Sequence, residues 1–315
     1  MTIVKQMRLF DIQELMDMES SHRFDAILAT FDLQPIFQLF RKTTMYGAPR
    51  ALNYGAMIQS LVIRIVERIP TVKDLVKRLK YDLLFRLDCG FLLSDSVPSE
   101  ASYSRMVDVI SQSDVFGQLN DDLIQSAFTE GFLADEHVSY DATHFEARDA
   151  SKPSEKKEKA PKKRGRKSKE EREAWLLEQA EIEANLTTYE KKLAAQLTIP
   201  TATLLQDMPI QPKWGVKKNS DGKNTFWFGY KGHLAVSTTS QYIVACLMSS
   251  GNLSDSKAAI PLLKKVGEVV PNQFTTAIFD AGYDYEAIYR QISNQDMKAV
   301  IPYVKRNEPE LLGFD

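Results

Sequence analysis

The first 132 residues space their apolar positions as helices do. The clearest run places an apolar side chain at every fourth position: Met57, Leu61, Ile65 and Ile69. This run predicts a helix over 53–69 that Pro70 ends, and Thr71 is placed to cap the next helix, over 72–80. Further helices are predicted over residues 11–18, 23–40, 99–112 and 115–132. The pattern therefore predicts an all-α domain over residues 1–132.

From residue 133 onward the pattern changes to short β-prone runs that alternate with helices. Strands are predicted over residues 137–143, 226–236, 242–248, 275–280 and 299–304. Helices are predicted to begin at Ser254 and Tyr285. Three meandering strands followed by alternating helices and strands describe a mixed sheet covered by helices. This is the order of an RNase H-like fold, so we expect an α+β protein with a mixed α/β domain over 133–315.

A long charged insertion separates the first predicted strand from the second. It occupies residues 150–213 and combines a lysine-rich, proline-containing run with a helix that Ser168 and Glu171 open as a capping box. The run cannot build a hydrophobic core. Its cations are candidate contacts to DNA phosphates through counterion release: Lys162, Lys163, Arg164, Arg166 and Lys167. The alternative is a linker that only increases solubility.

Composition and charge narrow the possible function classes. A chain of 315 residues is longer than one small core requires, and its formal charge of −2 excludes a uniformly basic surface. Binding to nucleic acid must therefore come from local patches. Cys89 and Cys246 lie in separate predicted domains, which argues against a disulfide framework or a thiolate zinc site. No apolar run approaches the ~20 residues that span a bilayer, and no signal-peptide core is found, so we expect a cytoplasmic protein without a membrane partner.

Two of the predicted strands deliver an aspartate. Asp141 lies in the first strand, and Asp280 ends the run that breaks at Gly282. In an RNase H-like sheet the first and fourth strands are neighbours, which would bring the two carboxylates together. A cation between them explains such a pair, and oxygen-only ligands select Mg²⁺ or Mn²⁺. The alternative is that each aspartate only caps the end of its strand.

Basic residues outside the insertion give further candidate DNA contacts. The predicted helix over 72–80 carries Lys73, Lys77 and Arg78. Short helices joined by tight turns, one of them basic, are compatible with a helix-turn-helix contact to DNA, although a solvated helical face explains the charges equally well. Lys231 is a candidate phosphate contact on a strand, or a lysine that protects an edge strand from aggregation.

Four motifs resemble those of DDE transposases of bacterial insertion sequences. They are, in the family's order, Tyr140–Thr143, Phe226–His233, Gly251–Ser256 and Phe279–Asp284. The resemblance covers most of the chain from about residue 45 and is weakest in the insertion. It implies an N-terminal helical domain, an RNase H-like catalytic core, and metal-dependent DNA cleavage and strand transfer at element ends. The implied partner is double-stranded DNA, bound by a homo-oligomer on paired ends.

The resemblance also assigns the acids. Asp141 matches the family's first catalytic aspartate and Asp280 its second, with two Mg²⁺ ions about 4 Å apart as the implied cofactor. The family's third acid is a glutamate on a helix well beyond the last strand. Glu286, Glu308 and Glu310 match neither its position nor its context, so we expect the third acid to be absent from this chain, as in a truncated or split reading frame.

Three functions remain open at this point. The first is a transposase whose truncated chain is weakly active or inactive by itself. The second is a non-catalytic DNA-binding or regulatory transposase fragment. The third is a structure-specific nuclease on the RNase H-like fold.

Overall fold

The computed structural model describes residues 19–30, 32–41, 52–148, 168–169, 172–173, 175–177, 185–218 and 221–303. The chain divides after Leu119 into two compact units, and each unit has its own hydrophobic core. The predicted domain boundary at residue 132 stays a prediction. Among the described residues, no helix has both the length and the apolar character needed to cross a membrane.

The first unit is helical. Its helices are α1 (Asp25–Leu28), α2 (Gln34–Leu39), α3 (Tyr54–Val66), α4 (Val72–Tyr81), α5 (Leu83–Asp88) and α6 (Glu100–Ser111), followed by the start of α7 (Val115–Thr129). The predicted cap of α4 is confirmed, because the Thr71 side chain accepts a hydrogen bond from the backbone N–H of Asp74. The single helix predicted over 23–40 is wrong, since two short helices occupy that stretch. The helix predicted over 11–18 lies outside the described residues.

The second unit combines a mixed sheet with helices. After α7 come β1 (His137–Glu146), a 3-10 helix (Leu193–Thr198), α8 (Thr201–Gln206), β2 (Lys213–Lys218), β3 (Asn224–Ser237), β4 (Ile243–Ser250), α9 (Asp255–Val269), β5 (Thr276–Ile278), a 3-10 turn (Ala281–Tyr283), α10 (Glu286–Ser293) and β6 (Lys298–Val300). The sheet order is β2-β3-β1-β5-β6, and β4 also pairs with β3.

The strand carrying Asp141 lies next to the strand that precedes Asp280. β1 pairs antiparallel with β3 on one side and parallel with β5 on the other. The first and fourth predicted strands were expected to be neighbours, and they correspond to β1 and β5 because β2 was not among the predicted strands. The molecule is therefore an α+β protein in which an RNase H-like sheet follows a helical N-terminus. β2 was not predicted from the sequence; it begins at Lys213, where the predicted insertion ends.

One face of the sheet forms the core of the second unit. Val138, Tyr140 and Ala277 are buried on this face and belong to the same cluster as Ile260 of α9 and Ile288 of α10. The alternate positions of the strands point to the opposite face. Several of these side chains are exposed apolar groups: Phe145, Trp214, Val216, Phe226, Met248 and Val300. Asp141 shares this opposite face because it pairs with Leu234, two residues along β3 from Gly232, the partner of Met248.

Two lysines of α9 hold the end of the insertion against the sheet domain. The Nζ atom of Lys264 donates to the backbone carbonyls of Gln196, Leu197 and Ile199 at 2.6–3.0 Å. Lys257 donates to the carbonyls of Tyr189 and Lys191. Burial lowers the pKa of both lysines. These contacts, together with the buried side chains of Tyr189, Leu204 and Met208, hold the chain after residue 185 on the second unit.

Candidate metal centre

β1 brings Asp141 to the exposed face of the sheet. Its buried positions alternate, so that Val138 and Tyr140 point into the core while Ser139 and Asp141 point away from it. The Asp141 carboxylate is exposed, and its Oδ1 atom accepts a hydrogen bond of 2.7 Å from the backbone N–H of Ala142. One carboxylate oxygen is thus fixed by the backbone.

Asp280 follows β5 at the register position that matches Asp141 of β1. The register of the parallel pair ends at Ser139 and Ile278, and each aspartate lies two residues further along its own strand direction. Neighbouring strands are ~4.8 Å apart, so the register brings the two aspartates side by side on the same face. The Asp280 side chain is exposed, and its Oδ1 atom accepts a bond of 2.8 Å from the N–H of Gly282.

An aromatic stack extends this register beyond the last backbone pair. The rings of Tyr140 and Phe279, the residues directly before the two aspartates, are stacked with their centroids 4.4 Å apart and their planes 4° from parallel. Tyr283 packs against Phe279 with a centroid distance of 5.0 Å. The stack lies on the buried face, so the aspartates that follow Tyr140 and Phe279 point to the opposite face.

Negative charge gathers around Tyr283. Its ring is buried, and burial together with the charges of Asp255, Asp141 and Asp280 raises the pKa of its hydroxyl. The phenol therefore stays protonated. Within the described part of the chain, neither Asp141 nor Asp280 forms a salt bridge with a lysine, an arginine or a histidine.

Lys231 neutralises Asp255 and leaves the other two carboxylates unpaired. The Nζ atom of Lys231 lies 2.9 Å from Oδ1 of Asp255 and donates to the carbonyl of Leu253 at 2.8 Å. Ser254 is the N-cap residue of α9, and Asp255 begins its first turn. The role of Lys231 as a phosphate contact stays a prediction.

The donor set of the pair fits a hard divalent cation. Asp141 and Asp280 each use one oxygen for a backbone N–H, and in the described residues no hydrogen bond engages the second oxygen. Two like charges that have no cationic side chain beside them and offer only oxygen atoms suit Mg²⁺ or Mn²⁺. A group of three potential metal-binding side chains does not occur in the described parts of the chain.

The other glutamates do not complete the pair in the described structure. Glu286 is exposed and accepts a hydrogen bond of 2.6 Å from Arg290, one turn further along α10. Glu308 and Glu310 lie outside the described residues. The expected absence of a third acid therefore stays a prediction.

The predicted DNA contacts of the first unit have different surroundings. Lys73 and Lys77 are exposed on α4, whereas its Leu75 and Leu79 are buried. Arg78 donates to Glu67 at 3.0 Å and lies 3.6 Å from Asp82, and its guanidinium stacks over Phe85 at 4.2 Å from the ring centroid. Arg78 therefore joins helices within the unit. The basic run from Lys162 to Lys167 lies outside the described residues.

Family comparisons agree with the fold. Residues 13–108 match the family model of the Transposase domain (DUF772), and residues 185–311 match that of the Transposase DDE domain. The second match contains β2 to β6 and Asp280, and it begins after Asp141. Searches of curated proteins and of solved structures each gave no significant match.

A helical transposase domain followed by an RNase H-like DDE domain defines the class of this protein as a transposase. More particularly, the chain belongs to the DDE transposases of insertion sequences, as its four motifs predicted.

Proposed function

We propose that this transposase cuts DNA at the ends of its element and joins those ends to target DNA, with Asp141 and Asp280 holding the required metal. One observation supports this most directly. Two strands far apart in sequence bring an aspartate each to adjacent register positions on one face, and within the described residues no cationic side chain pairs with either. Unpaired neighbouring carboxylates of this kind suit a divalent cation.

The residues of the chain have distinct roles in this proposal. Asp141 and Asp280 would hold Mg²⁺ or Mn²⁺, which supplies Lewis acidity toward a phosphodiester and toward water or a DNA 3′-hydroxyl. The backbone N–H groups of Ala142 and Gly282 orient the two carboxylates.

Basic residues hold the DNA in this proposal. Lys73 and Lys77 on α4 contact the phosphate backbone, and the run from Lys162 to Lys167 adds contacts that depend on salt. Double-stranded element ends and target DNA are the substrates. Paired ends bound by a homo-oligomer complete the proposal.

A second candidate is a DNA-binding transposase product that does not cut. It is favoured by one observation, namely that in the described parts of the chain no third metal-binding side chain joins Asp141 and Asp280. In that case the chain binds DNA and regulates transposition without strand cleavage.

Nicking of supercoiled plasmid during a Mg²⁺ or Mn²⁺ titration tests the proposal. We expect weak nicking by the unmodified chain, since no third acid joins the pair among the described residues, and loss of that nicking in Asp141→Asn and in Asp280→Asn. Asp296→Asn is the matched control, because Asp296 is exposed on a turn with φ of 54°, a conformation that asparagine adopts readily. Nicking that persists in Asp141→Asn contradicts the proposal, and DNA binding without nicking by the unmodified chain supports the second candidate.

A further inference from the structure

β2 and β3 form a two-stranded ribbon that extends past the rest of the sheet. β2 pairs with residues 224–229 of β3, whereas the paired residues of β1 and β4 begin only at Gly229 and Tyr230. The outer part of β3 thus has β2 as its ladder partner. We propose that this ribbon is a DNA contact of the transposase, in addition to its α4 and its basic run.

Apolar side chains line one face of the ribbon. Trp214 is 56% exposed and Phe226 is 63% exposed, and both lie on this face with Val216 and Phe228. The rings of Trp214 and Phe228 form a tilted cross-strand pair with centroids 5.7 Å apart. Exposed aromatic pairs on a narrow ribbon indicate a binding surface rather than a core.

Cations flank these aromatic residues. Lys213 and Lys217 alternate with Trp214 and Val216 along β2, so they lie on the other face of the same ribbon, and both are exposed. Arg148 is exposed just after Ala147, whose backbone N–H donates to the carbonyl of Phe228. Lysines on one face and apolar rings on the other suit a ribbon that enters a DNA groove, where the lysines meet phosphates and the rings meet base edges such as the thymine methyl group.

The charge of Lys213 helps to lower the pKa of an acidic residue near it, Glu190. Glu190 accepts hydrogen bonds from the backbone N–H and the hydroxyl of Thr187, and these bonds, with Lys213 and Lys257 nearby, lower the pKa of its carboxyl. Thr187 therefore fixes the Glu190 carboxylate. Lys217 carries its charge on the outer half of the ribbon, which makes it the more direct candidate for a phosphate contact.

The distance from the acid pair to the ribbon matches a short length of DNA duplex. Asp141 pairs with Leu234 of β3, and Phe228 lies six residues away on the same face of that strand. Six residues of extended strand span about 20 Å, which corresponds to about six base pairs of duplex at 3.4 Å each. Duplex bound at the acids can therefore reach the ribbon, and the major groove accommodates a two-stranded β-ribbon.

This inference rests on the proposed DNA substrate but not on catalysis, so binding is measured without cleavage. The probe is a random-sequence duplex oligonucleotide in Ca²⁺ buffer, titrated at several salt concentrations. Loss of two phosphate contacts in the Lys213→Ala/Lys217→Ala double variant should make the slope of log K against log salt shallower by about 2. Loss of base contacts in Trp214→Ala should weaken binding roughly tenfold with the slope unchanged.

Lys192→Ala is the charge-matched control, because Lys192 is exposed in the same unit outside the ribbon. It should leave the slope unchanged. Binding is measured in Ca²⁺ buffer and nicking separately in Mg²⁺ or Mn²⁺, which separates failure of the ribbon from failure of the proposed chemistry. An unchanged slope in the double variant, with circular dichroism showing a folded chain, overturns the inference.

Discussion

At the scale of single residues, the two aspartates could be located from the sequence and most of their neighbours could not. Asp141 and Asp280 were recognisable because one lies within a β-prone run and the other directly ends one. The pairing of Lys231 with Asp255 connects a strand to a helix 24 positions later, which no local pattern reveals. Only the fold shows that Asp255 already has a cationic partner, unlike the acid pair.

His233 gives a prediction at the residue scale. It is buried, its Nε2 atom lies 2.7 Å from the Ser249 hydroxyl, and burial lowers its pKa from 6.5 to about 4, an effect that Asp255 opposes and Lys231 increases. The neutral ring is favoured by folding. The contribution of His233 to the free energy of unfolding is therefore fully present above about pH 6.5. It decreases toward pH 4, because the unfolded chain takes up a proton in this range and the folded chain does not.

The expected loss across this window is roughly 2 to 4 kcal/mol in the free energy of unfolding. Urea titrations at several pH values measure it. His233→Gln, which keeps an amide donor for Ser249, should show a shallower decline toward acid. Parallel pH profiles of the two proteins would mean that His233 does not cause the acid sensitivity.

At the scale of elements, the alignment of β1 with β5 depends on the aromatic stack. The backbone register ends at Ser139 and Ile278, before either aspartate, and the stacked rings of Tyr140 and Phe279 continue it. Tyr283 then packs on Phe279 from the following turn. Side chains on the buried face thus set the spacing of carboxylates on the exposed face.

Replacement of Phe279 by leucine tests this role. Loss of the stack should lower the free energy of unfolding by about 1 to 2 kcal/mol and weaken Mn²⁺ binding roughly tenfold. Isothermal titration calorimetry measures the binding, and urea unfolding measures the stability. A leucine variant that is destabilised but binds Mn²⁺ normally would assign the stack to stability alone.

Tyr140→Phe is the matched control for this variant. Its hydroxyl is fully buried and has no hydrogen-bond partner among the described residues, so the substitution keeps the ring and removes an unsatisfied polar group. Mn²⁺ binding should remain as in the unmodified chain, and stability should stay equal or rise.

Elements with strong local signals were predictable, and those set by distant contacts were not. The α4 helix could be predicted from Pro70, Thr71 and its apolar spacing. β2 could not be predicted, because its lysines and Gly215 are typical of a loop. Only its pairing with β3 makes this stretch a strand. The stretch over 23–40 has helical spacing throughout, yet it forms two short helices, the second beginning with Pro35 near its first turn.

At the scale of the whole molecule, the two hydrophobic cores share no residue. The core of the first unit includes Leu75, Phe85 and Tyr103, whereas that of the second includes Val138 and Ile260. The order of a helical domain before a mixed sheet was predictable because spacing changes from helical to strand-like near residue 133. The position of the division inside α7 was not, because the helix continues through it.

Separate cores predict separate unfolding transitions. The three tryptophans, Trp175, Trp214 and Trp227, all follow the division, so their fluorescence reports on the second unit alone. Leu75→Ala creates a cavity in the first core and should cost about 2 to 5 kcal/mol there. The urea midpoint of fluorescence should stay constant while part of the circular dichroism signal shifts to lower urea. A fluorescence midpoint that moves with it would show that the units unfold together.

The central claim is that Asp141 and Asp280 jointly hold one divalent cation, and Mn²⁺ titration followed by electron paramagnetic resonance tests it most directly. Asp141→Asn and Asp280→Asn should each weaken binding about a hundredfold or more, while Asp296→Asn binds as the unmodified chain does. If either variant of the pair binds Mn²⁺ with unchanged affinity, the two aspartates do not form one metal site.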